Sequence, residues 1–417
     1  MNKIFAVAAL LSMGTLATIP ASAGEATLSV QPLTQAQNVF ATDLYAKLQG
    51  RPGNLFFSPY SVAMAIDMVF VGANGGTEAE IAKALHLDRL QTNSAEPSLR
   101  AALLRQAKQR GLFDGASRDG LEIHVANALW GKAGYPFNVV YKESVRDSFA
   151  GNFEPLDFGN EPAARDKING WVSNQTADKI QNIIGSGVLN AETRLVLTNA
   201  IYFKAAWDKK FQKNSTQKET FHVSAGKNVS ADMMRQTGFF KLASLEGFRL
   251  LSVPYKYDEA SMLILLPDRV DGLPNIEALL TAMNLESWIE KGKTVSVALS
   301  LPKFKNASAF SLREPLETLG MRKSFAAGQA DFSSIANVRG DPLYVGAVLH
   351  KAFVDVDEEG TEAAAATAVV MVGTAMVERG EPEPFVADHP FLYIIRANRT
   401  GDILFMGRLT DPTQQGG

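Results

Sequence analysis

Hydrophobic and polar positions change period repeatedly along this chain. Apolar residues recur every three or four positions in Ala63 to Phe70, Glu78 to Leu87 and Ser98 to Arg110, which predicts helices there. Strand-like runs occupy Arg194 to Phe203, Ser261 to Leu266, Val295 to Phe304, Tyr344 to Val356 and Phe391 to Ile395. The two kinds are interleaved, and no linker rich in Pro, Gly or Ser divides them. The pattern therefore predicts one large α+β unit. No self-similarity at a period of roughly 20 to 50 residues is present, which removes solenoids and propellers.

Two stretches break the pattern. Met1 to Ala23 carries one cation, Lys3, then the apolar run Ile4 to Met13, and ends in Ala21-Ser22-Ala23. That is the shape of a cleavable export signal, too short and too interrupted to span a membrane of about 30 Å. We expect cleavage before Gly24, a single domain over residues 24–417, and an exported protein, either secreted or periplasmic.

The second stretch runs from Asp355 to Pro384. An alternating strand reaches Glu358-Glu359-Gly360, where glycine permits a sharp change of direction. Fifteen residues without a charge follow, from Ala363 to Val377, and then the polar, proline-spaced segment Glu378 to Pro384. The prolines and charges predict exposure, whereas the uncharged run has the composition of something buried. Read at strand period, one face carries Thr361, Ala363, Ala365, Thr367, Val369 and Met371; the other carries Glu362, Ala364, Ala366, Ala368, Val370 and Val372. Such a strand could enter the middle of a sheet without burying a charge or overfilling the core. By periodicity alone a helix or a permanently buried strand would fit equally well, since alanine has the best helix propensity.

Composition narrows the functional classes. With 41 basic and 44 acidic residues, the net charge of -3 provides no field for nucleic acid or an anionic membrane. The absence of cysteine excludes disulfides, thiol nucleophiles, iron–sulfur clusters and cysteine-ligated zinc. His86, His124, His222, His350 and His389 form no HExxH or other local ligand pair, so no metal or cofactor is expected. Enzyme motifs are missing as well. The nearest string to a G-x-S-x-G elbow, Gly115 to Asp119, lacks the second glycine, and Gly226-Lys227 lacks the rest of a phosphate loop.

Residues Asp357 to Thr367, DEEGTEAAAAT, resemble the hinge of the serpins, the serine protease inhibitors. NLFFSPYSV (Asn54 to Val62), GANGGTEAEIAKALHL (Gly72 to Leu87), ANALW (Ala126 to Trp130), TNAIYFKAAW (Thr198 to Trp207), LPKFK (Leu301 to Lys305), DFSSI (Asp331 to Ile335) and FVADHPFLYIIR (Phe385 to Arg396) match the family in order. The resemblance implies the serpin fold: three β-sheets surrounded by about nine helices, with an exposed reactive loop over about residues 358–384. It also implies the mechanism. A protease attacks a loop carbonyl and forms an acyl-enzyme, the cleaved hinge inserts as a new central strand, and the protease is hauled along and distorted before water releases it. Serpin loop insertion is itself a standard instance of β-augmentation and of stored strain released.

Further positions follow from the resemblance. The hinge is Glu358, Gly360, Thr361, Ala363, Ala364, Ala365, Ala366 and Thr367, small enough to favour an inhibitor over a serpin used only for binding or transport. Serpin spacing puts the scissile bond after the seventeenth residue counted from Glu358, at Thr374-Ala375, which suits elastase-like or subtilisin-like proteases. A long distal loop leaves Met376-Val377 as the alternative, for a chymotrypsin-like protease. Ser58, Ser61, Asn199 and His350 resemble the shutter beneath the sheet; Trp207, Lys303 and Glu358 resemble the breach where insertion begins. The basic stretch Arg100, Arg105, Lys108 and Arg110 reads as a solvated helix face. The expected partner is a target serine protease in a covalent complex with a monomer, and no nucleic acid or membrane.

Overall fold

The computed structural model describes residues 30–90, 121–361 and 381–414. The export signal, the Ser98 to Arg110 helix with its basic residues, and the loop positions from Glu362 to Gly380 lie outside the described residues. The latter include the hinge alanines, Thr367, Thr374, Ala375, Met376 and Val377.

Eight α-helices stand among the described residues: α1 (Val30–Leu48), α2 (Pro59–Phe70), α3 (Gly75–Ala84), α4 (Val139–Phe149), α5 (Glu161–Gln175), α6 (Leu273–Leu279), α7 (Ala282–Glu290) and α8 (Arg313–Thr318). The strands are β1 (Leu55–Phe57), β2 (Leu121–Lys132), β3 (Asn152–Leu156), β4 (Leu195–Ala206), β5 (Gln217–Ser224), β6 (Lys227–Leu245), β7 (Phe248–Pro254) and β8 (Ala260–Pro267). The remainder are β9 (Lys293–Pro302), β10 (Phe304–Ser311), β11 (Val345–Val356), β12 (Gly360–Thr361), β13 (Glu383–Val386), β14 (Phe391–Ala397) and β15 (Ile403–Leu409).

Hydrogen bonding groups these strands into a six-stranded sheet, ordered β10-β11-β12-β4-β2-β3, and a nine-stranded one, β1-β15-β14-β8-β7-β6-β9-β13 with β5 on β6. Two of the three sheets implied by the resemblance are thus continuous here. The 19-residue strand β6 joins them, pairing β5 over residues 227–233, β9 over residues 233–242 and β7 over residues 241–245.

Each sheet buries one face against the other. Phe56, Phe203 and Phe405 meet at centroid separations of 5.2 Å in this shared core. The other face of the six-stranded sheet is covered by α5, where Trp130, Ile168, Val172 and Val196 pack. Strands β8 and β15 are buried at every position, which is why β8 reads as a nearly continuous apolar run instead of an alternating one. Helix α2 is held between layers: Ser58 caps it by accepting from the Ser61 amide, Pro59 takes the first turn, and nearly every side chain is buried.

The apolar run Val295 to Phe304 divides between the sheets. Strand β9 ends at Pro302, β10 begins at Phe304, and the Lys303 amide leaves both ladders to donate to Asp232 O at 2.8 Å. Lys303 therefore stands where the chain crosses from one sheet to the other.

Candidate functional site

Strands β4 and β11 lie side by side in parallel, in register from Val345 opposite Leu195 to Phe353 opposite Tyr202. Beyond that point the direct ladder stops and the two residues of β12 take its place. Thr361 pairs with Val356 on one side and Ala205 on the other, and Gly360 pairs with Ala206, antiparallel to both neighbours. The chain reaches this slot by reversing over Asp357 to Gly360. The Asp357 carboxylate accepts from the amides of Glu359 (2.9 Å) and Gly360 (3.2 Å), and its own amide donates to Gly360 O at 2.8 Å. Glycine is required: φ is 156°, and a Cβ there would lie 2.1 Å from Ala205 O. Thr361 is fully buried, its hydroxyl hydrogen-bonded to Tyr255 at 2.8 Å.

The sequence-derived breach residues converge on this reversal. Trp207 donates from Nε1 to Asp357 O at 2.9 Å, and its indole stacks on Tyr255 at 4.6 Å with 5° between planes. Glu358 receives Lys303 Nζ at 2.7 Å and the Thr216 hydroxyl at 2.7 Å, with its side chain only 5% exposed. Burial pushes the Glu358 carboxyl up, but hydrogen bonds from Lys303 and Thr216 outweigh it and leave the group below the usual carboxylate range. Glu359, next along, is paired with Lys210 at 2.5 Å and Lys213 at 3.3 Å.

About halfway down the seam, Asn199 of β4 and His350 of β11 face each other in register. His350 Nδ1 lies 2.5 Å from Asn199 Oδ1, and Nε2 lies 3.3 Å from the Ser58 amide. Nε2 must therefore accept while Nδ1–H donates, which is the neutral ring. Complete burial agrees, pulling the His350 pKa down to about 3. The Asn199 amide donates to Ser61 Oγ at 2.5 Å, to Ser61 O at 3.1 Å, and to Asn127 Oδ1. The Ser58 hydroxyl donates to Leu404 O at 2.7 Å. All four predicted shutter residues are thus one buried network, linking the two strands to α2 beneath them.

Thr216, Tyr255, Asn127 and Asp357 belong to these networks and were not singled out from sequence. Asp357 had a local signal, an aspartate two residues before an amide it can cap. Thr216, Tyr255 and Asn127 had none, because their partners are 142, 106 and 72 residues away.

The chain as a whole is similar to known proteins. The family model "Serpin (serine protease inhibitor)" matches residues 35–412. Serpin B3 of Homo sapiens is 39% identical over 392 residues, covering 91% of this chain and 99% of the relative. Leukocyte elastase inhibitor of Bos taurus is 36% identical over 394 residues, covering 92% and 100%. Among solved structures, uncleaved ovalbumin matches with a TM-score of 0.80 at 28% identity, covering 91% of this chain and 100% of that one. The native state of the thermophilic serpin tengpin gives 0.82 at 25% identity, covering 93% and 96%. With family motifs in order, the fold in place and a family model matched across nearly the whole length, this chain belongs to the serpin family.

Proposed function

We propose that this serpin is a suicide-substrate inhibitor of serine proteases and not itself an enzyme: the cleaved loop enters the β4–β11 seam and traps the acyl-enzyme. One observation carries the reading. The first residues of the hinge, Gly360 and Thr361, already occupy the top of the slot, antiparallel to both strands that would flank an inserted loop. Continuing that register down β4 sets Ala363 opposite Phe203, Ala365 opposite Ile201, Thr367 opposite Asn199, Val369 opposite Leu197 and Met371 opposite Leu195. Every one of those β4 residues is buried, and the loop residues meeting them are uncharged. In the same register Thr367 also meets His350, so insertion replaces the Asn199–His350 hydrogen bond and offers a hydroxyl in exchange.

From Thr361 to Thr374 the loop spans about 43 Å as an extended strand, enough to carry a tethered protease from one end of the sheet to the other. Val372-Gly373-Thr374 suits a shallow specificity pocket, which favours elastase-like or subtilisin-like targets. The relatives named leukocyte elastase inhibitor support that class. The proposed protein acts as an exported monomer after removal of residues 1–23, and N-terminal sequencing of the natural protein should begin at Gly24.

The test is incubation with elastase, subtilisin, chymotrypsin or trypsin, followed by denaturing electrophoresis. A band at the summed mass of the chain and the protease is expected with elastase or subtilisin. A released C-terminal fragment starting at Ala375 places the scissile bond at Thr374, and one starting at Val377 moves it to Met376. Cleavage by all four proteases without a covalent band overturns inhibition and favours a binding or transport role on the same fold.

A further inference from the structure

The seam between β4 and β11 is also bonded shut at the end farthest from β12. Arg194 immediately precedes β4, and Asp341 lies just ahead of β11. Arg194 Nε donates to the Asp341 carboxylate at 3.0 Å, and the hydroxyl of Tyr135 donates to its other oxygen at 2.5 Å. The remaining guanidinium nitrogens are held by Ala191 O and by Glu192, each at 3.2 Å, so the buried Arg194 side chain is fixed on the β4 side. Tyr344 crosses the same gap in the opposite sense, donating to Glu192 O at 2.8 Å. The Tyr135 hydroxyl, with Arg194 second, holds the Asp341 carboxyl below the usual range, so Asp341 is a carboxylate at neutral pH while Tyr135 keeps its proton.

We propose that Arg194, Asp341 and Tyr135 form a terminal clamp that sets how readily the last residues of the inserting loop enter the sheet. The inference rests on the inhibitory reading. Lys303 and Glu358 flank the top of the slot, whereas the Arg194–Asp341 pair joins the approaches to the two strands that must part. Neighbouring strands lie about 4.8 Å apart, so a new strand between β4 and β11 carries them apart by about that distance. An ion pair at 3.0 Å does not survive such a displacement. The register that begins at Gly360 and Thr361 brings Met371 opposite Leu195 and Val372 opposite Arg194. The clamp is therefore indifferent to the early part of insertion and opposes the final residues, whose entry completes the transport of the protease. Arg194, Asp341 and Tyr135 are positioning residues in this sense and touch no protease.

The test compares intact and nicked protein, because a bond present only in the uninserted state stabilises only the intact form. Full-length wild type and Asp341→Asn are melted intact and after nicking with thermolysin, a metalloprotease that forms no acyl-enzyme and cannot be trapped. For Asp341→Asn the intact melting temperature should fall by about 2–4 °C, while the nicked value matches nicked wild type. The ratio of covalent complex to cleaved chain with subtilisin should rise at least about twofold, since the insertion barrier is lower. Arg194→Lys, which keeps a cation, should fall between the two. Should Asp341→Asn fail to fold, Tyr135→Phe carries the same comparison with the ion pair intact. Equal losses in the intact and nicked forms overturn the clamp, because the bond then persists after insertion. If nicking wild type does not raise its melting temperature at all, insertion itself is refuted, and the inhibitory reading falls with the clamp.

Discussion

Replacing Ala365 by arginine tests the proposed register of insertion through the described residues that it would face. Counting down the ladder from Gly360–Ala206 and Thr361–Ala205 sets residue 365 opposite Ile201, and the Thr361–Val356 pair sets it opposite Ala352. Both neighbours are buried, at 2% and 0% exposure, in the core shared by the two sheets. A guanidinium there would face these two apolar side chains, and an uncompensated buried charge costs about 3–5 kcal/mol. If half of a 4 kcal/mol penalty is felt at the transition state for insertion, the step slows about 30-fold. Deacylation of the trapped protease is unaffected, so a slower insertion shifts the outcome from complex to cleaved product. The assay is the fraction of chain in the covalent band against the fraction cleaved, at several ratios of serpin to subtilisin. Glu362→Arg is the control, because its register partner, Lys204, is only partly buried and the native residue there is already charged. Ala365→Arg should leave the melting temperature of the intact protein unchanged and turn the protein into a substrate. A covalent band of undiminished yield would refute the register, and with it the placement of the odd-numbered loop residues toward the core.

Cleavage at the loop should raise the melting temperature of the wild type by tens of degrees, as a trapped state relaxes; calorimetry before and after nicking decides it. His350 is neutral in the folded protein with a pKa of about 3, whereas in the unfolded chain it binds a proton near pH 6.5. Its contribution is therefore complete above pH 6.5 and is lost as the pH falls, by about 2 kcal/mol at pH 5. His350→Gln should be less stable at neutral pH and should flatten the slope of melting temperature between pH 6.5 and 5; an unchanged slope refutes the assignment. Lys303→Met removes the cation from the buried Glu358 carboxylate, leaving it the Thr216 hydroxyl and its own backbone amide, and should cost about 1–3 kcal/mol at pH 7. Because the folded carboxyl is held low, that gap should close as the pH falls through the carboxylate range, and a gap that persists at pH 3.5 argues against the ion pair.

Local pattern was enough to predict most of the elements that frame the seam, and for a physical reason. Strand alternation and helix periodicity record which face of a segment is buried, and that information is local. Tyr344 to Val356 and Arg194 to Phe203 were predicted as strands and became β11 and β4 to within a few residues. The charge-free odd face of the loop is a property of composition alone, and from Ala363 onward it lies outside the described residues.

Partners across the fold were not legible. The run Val295 to Phe304 reads as one strand, and only the packing of two sheets divides it at Lys303 and aims that ammonium at Glu358, 55 residues on. Arg194 looked like the first residue of a strand; its ion pair with Asp341, 147 residues away, exists only because β4 and β11 become neighbours. Periodicity states that a side chain is buried or exposed. Which distant group it meets is decided by the order of strands in the sheet, and that order is set by the free energy of the whole core rather than by any one segment.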